Sequence, residues 1–236
     1  LAWIQAFPIL KQGMDFYFGD GNQKLEREFQ QLVARENNYS KIANSTDYYI
    51  VDIEYATNNA RFDMVGINWE SAGYKRKQKG LEKYPPKIAF IEMKYYVNAL
   101  DGNSGIVSHI KDVDDFLGIP GNLTTIKKEM VEIFRQKRKL KLVDDLAHDN
   151  HVKELAERPE FILLLANHDP DSIKLQKCLM DIQSVGPMRH ADLRIATANF
   201  MGYGLYRENI FTLDEFLVRF ARQIYSRPAK TKPIAI

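Results

Sequence analysis

The sequence predicts an α/β layered domain: a mixed central sheet flanked by helices. Three observations carry that reading. Segments of helical and strand periodicity follow one another as helix, three strands, helix, strand, helix, strand, helix. The first three strands all fall within residues 47–96, joined by turn-like or polar connections. Residues 159–170, PEFILLLANHDP, hold a nearly continuous apolar run, the pattern of a strand covered on both faces.

Each element has its own signal. In NQKLEREFQQLVAR, residues 22–35, Leu25, Phe29, Leu32 and Val33 recur at helical intervals. DYYIVDIEYA, residues 47–56, is rich in β-branched and aromatic residues and exits into TNNA, so it reads as a strand. RFDMVGINW and KIAFIEMKYY are two further strands, and the connection between them contains Gly73, Gly80, Pro85 and Pro86. NALDGNSG has the chemistry of a turn and helix cap; Ile106, Ile110, Val113 and Leu117 then mark an amphipathic helix that GIPGN ends. Residues 122–157 look helical and highly charged, and read as an inserted arm standing away from the core. A short helix from about Asp171, a strand at LRIATANF and a C-terminal helix complete the order, with Thr212 and Glu215 forming a capping box ahead of FLVRFARQIY. The whole reads as a single domain over 1–236, its core at 22–120 and 159–224 and its charged helical insertion at 122–157.

Composition narrows the function classes. A chain of 236 residues, 45% hydrophobic and 27% charged, suits an ordinary globular protein with one sizeable core. No run of 18 apolar residues occurs, and LAWIQAFPILKQG lacks the basic start and small-residue cleavage site of a secretory signal. No membrane partner is therefore expected, and the expected location is cytoplasmic. The one cysteine, Cys178, excludes an internal disulfide, and its spacing with Leu175, Leu179 and Ile182 predicts a buried structural thiol. A net charge of +2 is too small to announce nucleic-acid binding. Two local runs can track phosphates, YKRKQKGLEK at 74–83 and FRQKRKLK at 134–141, although a solvated turn or helix face is the simpler reading of either run alone.

The chemistry concentrates in KIAFIEMKYY. Side chains alternate along a strand, so Glu92 and Lys94 share a face with Ile88 and Phe90, and the strand turns from apolar to ionic at its end. If RFDMVGINW pairs antiparallel with it around a roughly symmetric connection, Asp63 falls opposite or diagonal to Glu92. Two carboxylates so close repel one another, and burying either without compensation is costly. The arrangement asks for a cation, and hard carboxylate oxygens suit Mg²⁺ with waters left in place, as is usual where phosphates are the substrate. A Glu-x-Lys triplet alone arises by chance about once in a chain of this length. A simple ion pair would explain it; Asp63 on the neighbouring strand and the flanking helices raise its significance.

RFDMVG followed by IAFIEMK resembles the PD-(D/E)xK nuclease superfamily, whose restriction-endonuclease-like core matches this order of elements over roughly 22–120, and over 159–200 in topology. The resemblance implies that Asp63 and Glu92 ligate Mg²⁺ or Mn²⁺, that the Met93 carbonyl adds a ligand, and that Lys94 serves the attacking water. It also implies an acidic residue from the first helix, for which Glu28 is preferred over Glu26. Phe62 stands where the nominal motif has proline. A polar residue from the helix after the third strand, His109 or Lys111, often joins such sites, although a lone helical histidine is more commonly a boundary residue. Asp52 and Glu54 are candidates for the site's border.

The expected function is metal-dependent phosphodiester hydrolysis of nucleic acid, DNA ahead of RNA, with Lys75, Arg76, Lys77 and Lys79 holding the backbone and the basic stretch 127–141 extending the footprint. Double-strand cleavage would call for a homodimer. The alternatives are a catalytically inactive nuclease-fold module that binds nucleic acid or protein, and an α/β interaction protein with a fortuitous triplet.

Overall fold

Aromatic and β-branched residues at 48–56 and 61–68 suit a pleated, covered surface, and they form strands β1 (Tyr48–Ala56) and β2 (Arg61–Asn68) of a computed structural model. The structure describes residues 2–18, 25–40, 46–57, 59–68, 86–96, 100, 105–143, 152, 154–169, 172–198 and 202–225. Helices α1 (Ala2–Phe18) and α2 (Leu25–Asn38) precede β1, and β3 (Lys87–Tyr95) completes an antiparallel meander. Helices α3 (Ile106–Gly118) and α4 (Asn122–Lys139) lead to β4 (Glu160–Ala166), and α5 (Ile173–Val185) leads to β5 (Asp192–Ala198). The two-residue strand β6 (Ile210–Phe211) and α6 (Leu213–Tyr225) follow. The six strands lie in the order β1-β2-β3-β4-β5-β6, parallel across β3, β4 and β5 and antiparallel elsewhere.

Alternation along β3 divides the core. Ile88 and Phe90 pack into the cluster that α3, α4, α5 and α6 cover, whereas Ala89, Ile91 and Met93 face the α2 side with Val33 and Ala34. Every residue of β4 is buried, as its apolar run predicts. The Thr212–Glu215 capping box forms: Thr212 Oγ1 accepts the Glu215 N–H at 3.2 Å, and Glu215 Oε2 accepts the Thr212 N–H at 2.8 Å. Cys178 is buried beside Leu179 and Ile182, as its spacing predicts. Among the described residues no helix is long and apolar enough to cross a membrane.

The stretch 122–157 departs from its expected form. Helix α4 ends at Lys139, with Lys141 at a positive φ of 59°, and 154–157 carry no helix. Nor does α4 stand away as an arm, because Ile126, Met130, Val131 and Phe134 are buried in the core. Phe134 meets the Tyr49 ring edge-on at 5.3 Å, and the Tyr55 hydroxyl donates to Glu129 at 2.7 Å. High charge marked one face of this helix and hid the apolar stripe on the other. Phe134→Ala should therefore lower stability by ~3 kcal/mol in urea unfolding, since a fully buried ring leaves a cavity; a change under ~1 kcal/mol would contradict the packing.

The outer edge of β1 is covered by side chains. Asn38 both accepts the Ile50 N–H at 2.8 Å and donates to its carbonyl at 2.7 Å, and Lys137 donates to the Val51 carbonyl. Main-chain groups that would otherwise template another strand are thereby occupied.

Candidate metal centre

The site forms where β2 and β3 separate. Their ladder runs from Asn68 opposite Lys87 to Met64 opposite Ile91. One step outward sets Asp63 beside Glu92, the placement that a symmetric connection predicts. Beyond that step the strands part, beside a local change in β1. Glu54, on β1, has a positive φ of 55°, uncommon for a residue with a side chain. Across this point the side-chain alternation changes: Ile53 and its partner Met64 lie on the α2 face, while Tyr55 and its partner Phe62 lie on the opposite face. Phe62 is thus drawn into the core against Phe90, 4.5 Å between ring centroids. Asp63, at the bend, is left to cap β3.

Asp63 Oδ2 accepts the Met93 N–H at 2.8 Å. In an extended strand the N–H and C=O of one residue leave on the same side, so the Met93 carbonyl faces the gap that Asp63 enters. Two residues on, Glu26 of α2 comes under the influence of the Tyr95 backbone, which favours its charged form. The Asp63 carboxylate therefore satisfies a main-chain donor that β2 no longer covers.

The buried pair Glu92 and Lys94 projects towards α3. Lys94 Nζ donates to Glu92 Oε1 at 2.7 Å, and His109 Nδ1 approaches the same oxygen at 3.0 Å. This is the local pairing that a simple ion pair also predicts; Asp63, Glu26 and His109 make it a cluster. Burial and the neighbouring Glu92 charge push Asp63 up to about 7, against the Met93 N–H. Burial also raises Glu26, with Lys94 opposing. Glu92 moves the other way: burial would raise it, but the His109 and Lys94 contacts outweigh that and hold it below the ordinary carboxylate range. Burial works against the Lys94 ammonium, yet Glu92 and the other carboxylates raise it, and the Glu92 contact likewise raises His109. At rest Glu92 thus has two contacts that favour its charged form, from Lys94 and His109, beside an Asp63 poised to lose a proton.

The carboxylates suit a small hard cation. Asp63 is held near neutrality by burial and by another carboxylate, a repulsion that a divalent ion would relieve. Asp63, Glu92 and the Met93 carbonyl are the groups available to hold it, with water filling the remaining positions as Mg²⁺ prefers. Among the described residues no three His, Cys, Asp or Glu side chains are gathered as a ready-made metal cage.

Several expected residues fall differently. Glu26, rather than the preferred Glu28, reaches the site, because two residues turn a helix by roughly 200° and place these side chains on opposite faces. Glu54 pairs instead with Arg61 and Arg27, and Asp52 lines a cavity beside α4. Lys75, Arg76, Lys77 and Lys79 lie outside the described residues. Within the basic stretch 127–141, Lys127 donates to the Glu157 carbonyl at 2.6 Å, and Lys137 turns inward to donate to that of Val51. His168 was not anticipated. Its Nε2 lies 2.9 Å from the Lys94 carbonyl, which can only accept, so Nε2 carries the proton. Burial keeps this imidazole below its ordinary value. It anchors the Lys94 main chain from the β4 side, and NHD following an apolar run was the only sequence signal for it.

No family model matches the chain, and no curated protein matches it. Among solved structures, SfsA of Pyrococcus furiosus, determined in complex with Ca²⁺, is similar at a TM-score of 0.32 and 10% identity. The match covers 80% of this chain, which spans 64% of that protein's length.

Proposed function

We propose that this protein is a metal-dependent phosphodiester hydrolase acting on nucleic acid, with DNA the preferred substrate. The observation that carries the reading is the convergence of Asp63, Glu92 and Lys94 where β2 and β3 part. Asp63 and Glu92, with the Met93 carbonyl, are the residues to hold Mg²⁺ or Mn²⁺. When bound, the ion neutralises charge on the phosphodiester and lowers the pKa of water.

The protein's own groups supply the rest. Lys94, buried and held ionised by Glu92, positions the attacking water and stabilises negative charge developing on phosphorus oxygens. His109 steadies Glu92 from α3, and Glu26 adds a second negative charge near Lys94. His168 fixes the Lys94 backbone from the opposite side. These are positioning roles, and they restrict both ionic side chains to one geometry.

The second reading, a nuclease-fold module that binds nucleic acid without cutting it, is favoured by one feature: Glu92 Oε1 is already engaged by both Lys94 and His109. The two readings separate in a cleavage assay with single- and double-stranded DNA and RNA, run across Mg²⁺ and Mn²⁺ concentrations and in excess chelator. The proposal expects metal-dependent cleavage, strongest on DNA. Binding without cleavage at every metal concentration would establish the inactive module instead.

A further inference from the structure

At the β1 edge of the sheet, α1, α2, α4 and β1 line a cavity of about 440 Å³ to which Asp63, Glu92 and Lys94 do not contribute. That volume lies within the range of small-ligand sites, which are mostly apolar with a few placed polar groups. Its walls follow that pattern: Phe7 of α1, Ile50 and Ile53 of β1, and Ile133 of α4 contribute hydrocarbon.

One half-buried charge opens onto it. Residues 134–141 read as a solvated basic run, yet Lys137 turns inward and lines the cavity. Its ammonium carries three donors. The Val51 carbonyl takes one, and the Tyr49 ring lies 5.9 Å away. Among the described residues Lys137 has no ion pair and no second hydrogen bond. Burial holds it below the ordinary lysine range; Asp52 partly offsets this and Lys11 adds to it. Asp52 also lines the cavity, and its Oδ1 accepts the Ile53 N–H at 2.9 Å. Lys11 and Lys137 against Asp52 leave the wall with a net positive charge, so charge complementarity selects an anion.

We propose that this cavity binds an apolar ligand with a single anionic headgroup, of the medium-chain carboxylate class, using the Lys137 ammonium as counter-ion. The carboxylate accepts the donors that Val51 leaves unused, and the hydrocarbon tail lies against Ile50, Ile53 and Ile133. The site is separate from the Asp63–Glu92 centre and does not depend on the nuclease reading.

Titration calorimetry with octanoate, octanol and octylamine tests it on the full chain. Octanoate should bind more tightly than octanol, and octylamine should not bind. Lys137→Met, which keeps the apolar stem, should weaken octanoate about tenfold or more and leave octanol unchanged, because a charge-assisted hydrogen bond is lost. Lys137→Arg should retain octanoate. Ile133→Trp should block octanoate and octanol by filling the cavity, with thermal unfolding confirming that each variant is folded; this variant also tests the site if Lys137→Met fails to fold. Glu92→Ala should bind octanoate as the wild type does. Absence of octanoate binding by the wild type, equal binding of octylamine, or unchanged affinity in Lys137→Met or Ile133→Trp would overturn the proposal.

Discussion

Glu92→Ala and Lys94→Ala should each lower metal-dependent cleavage by about 10²–10³-fold, the scale of losing one preorganised charge at a reacting phosphate. The loss should fall in kcat rather than KM, because neither side chain is required to hold the nucleic-acid backbone. Lys94→Arg should not rescue the rate. A planar guanidinium cannot occupy the buried point position at which Nζ meets Glu92 Oε1 at 2.7 Å. Removing Lys94 also leaves Glu92 buried with one fewer partner, so Lys94→Ala should cost stability, by ~3 kcal/mol. Urea unfolding alongside the kinetics separates the two effects. Wild-type cleavage by both alanine variants would remove these residues from the mechanism.

The second large effect is a gain. Asp63→Asn should stabilise the metal-free protein at pH 8 while abolishing metal-dependent cleavage. Asp63 has an ordinary value of 3.8, raised in the fold to about 7 by burial and the Glu92 charge. Between about pH 4 and 7 the native state therefore holds a proton that the unfolded chain releases. Stability attributable to Asp63 falls as pH rises through that window and is flat above it. At ~1.4 kcal/mol per unit, the upper limit is ~4 kcal/mol, fully expressed above pH 7 and absent below about pH 4. Asparagine keeps an oxygen to accept the Met93 N–H and discards the charge. Denaturation curves of both proteins at pH 4, 6 and 8 check this: the gap should open with rising pH. A gap that closes with rising pH, or a less stable variant at pH 8, would contradict the assigned repulsion. A fold that is destabilised by its own candidate site fits the general trade-off between activity and stability.

The legible and illegible parts of this protein differ for physical reasons. Period-two and period-3.6 patterns carried β1, β2, β3, β4, α2 and α3, because each buries one clean face or two. The nearness of Asp63 to Glu92 followed from strand alternation and the antiparallel register of β2 and β3. Helix α1 gave no such signal: it contains Pro8, a residue that reads as a helix breaker, and Phe7, Ile9, Leu10 and Phe16 remain exposed. The choice between Glu26 and Glu28 depended on the rotation of α2 about its axis, set by Val33 and Ala34 packing under the sheet. His168 and the inward turn of Lys137 depended on tertiary neighbours alone. The positive φ at Glu54, beside the point where β2 and β3 part, has no signature in the residues around it.

The most direct measurement is the anomalous diffraction of crystals grown with Mn²⁺ at pH 8, where Asp63 is ionised. The account predicts a peak between the Asp63 and Glu92 carboxylates, within bonding distance of the Met93 carbonyl and lost in Asp63→Asn. No peak there, with the Glu92–Lys94 and Glu92–His109 contacts unchanged, would contradict it.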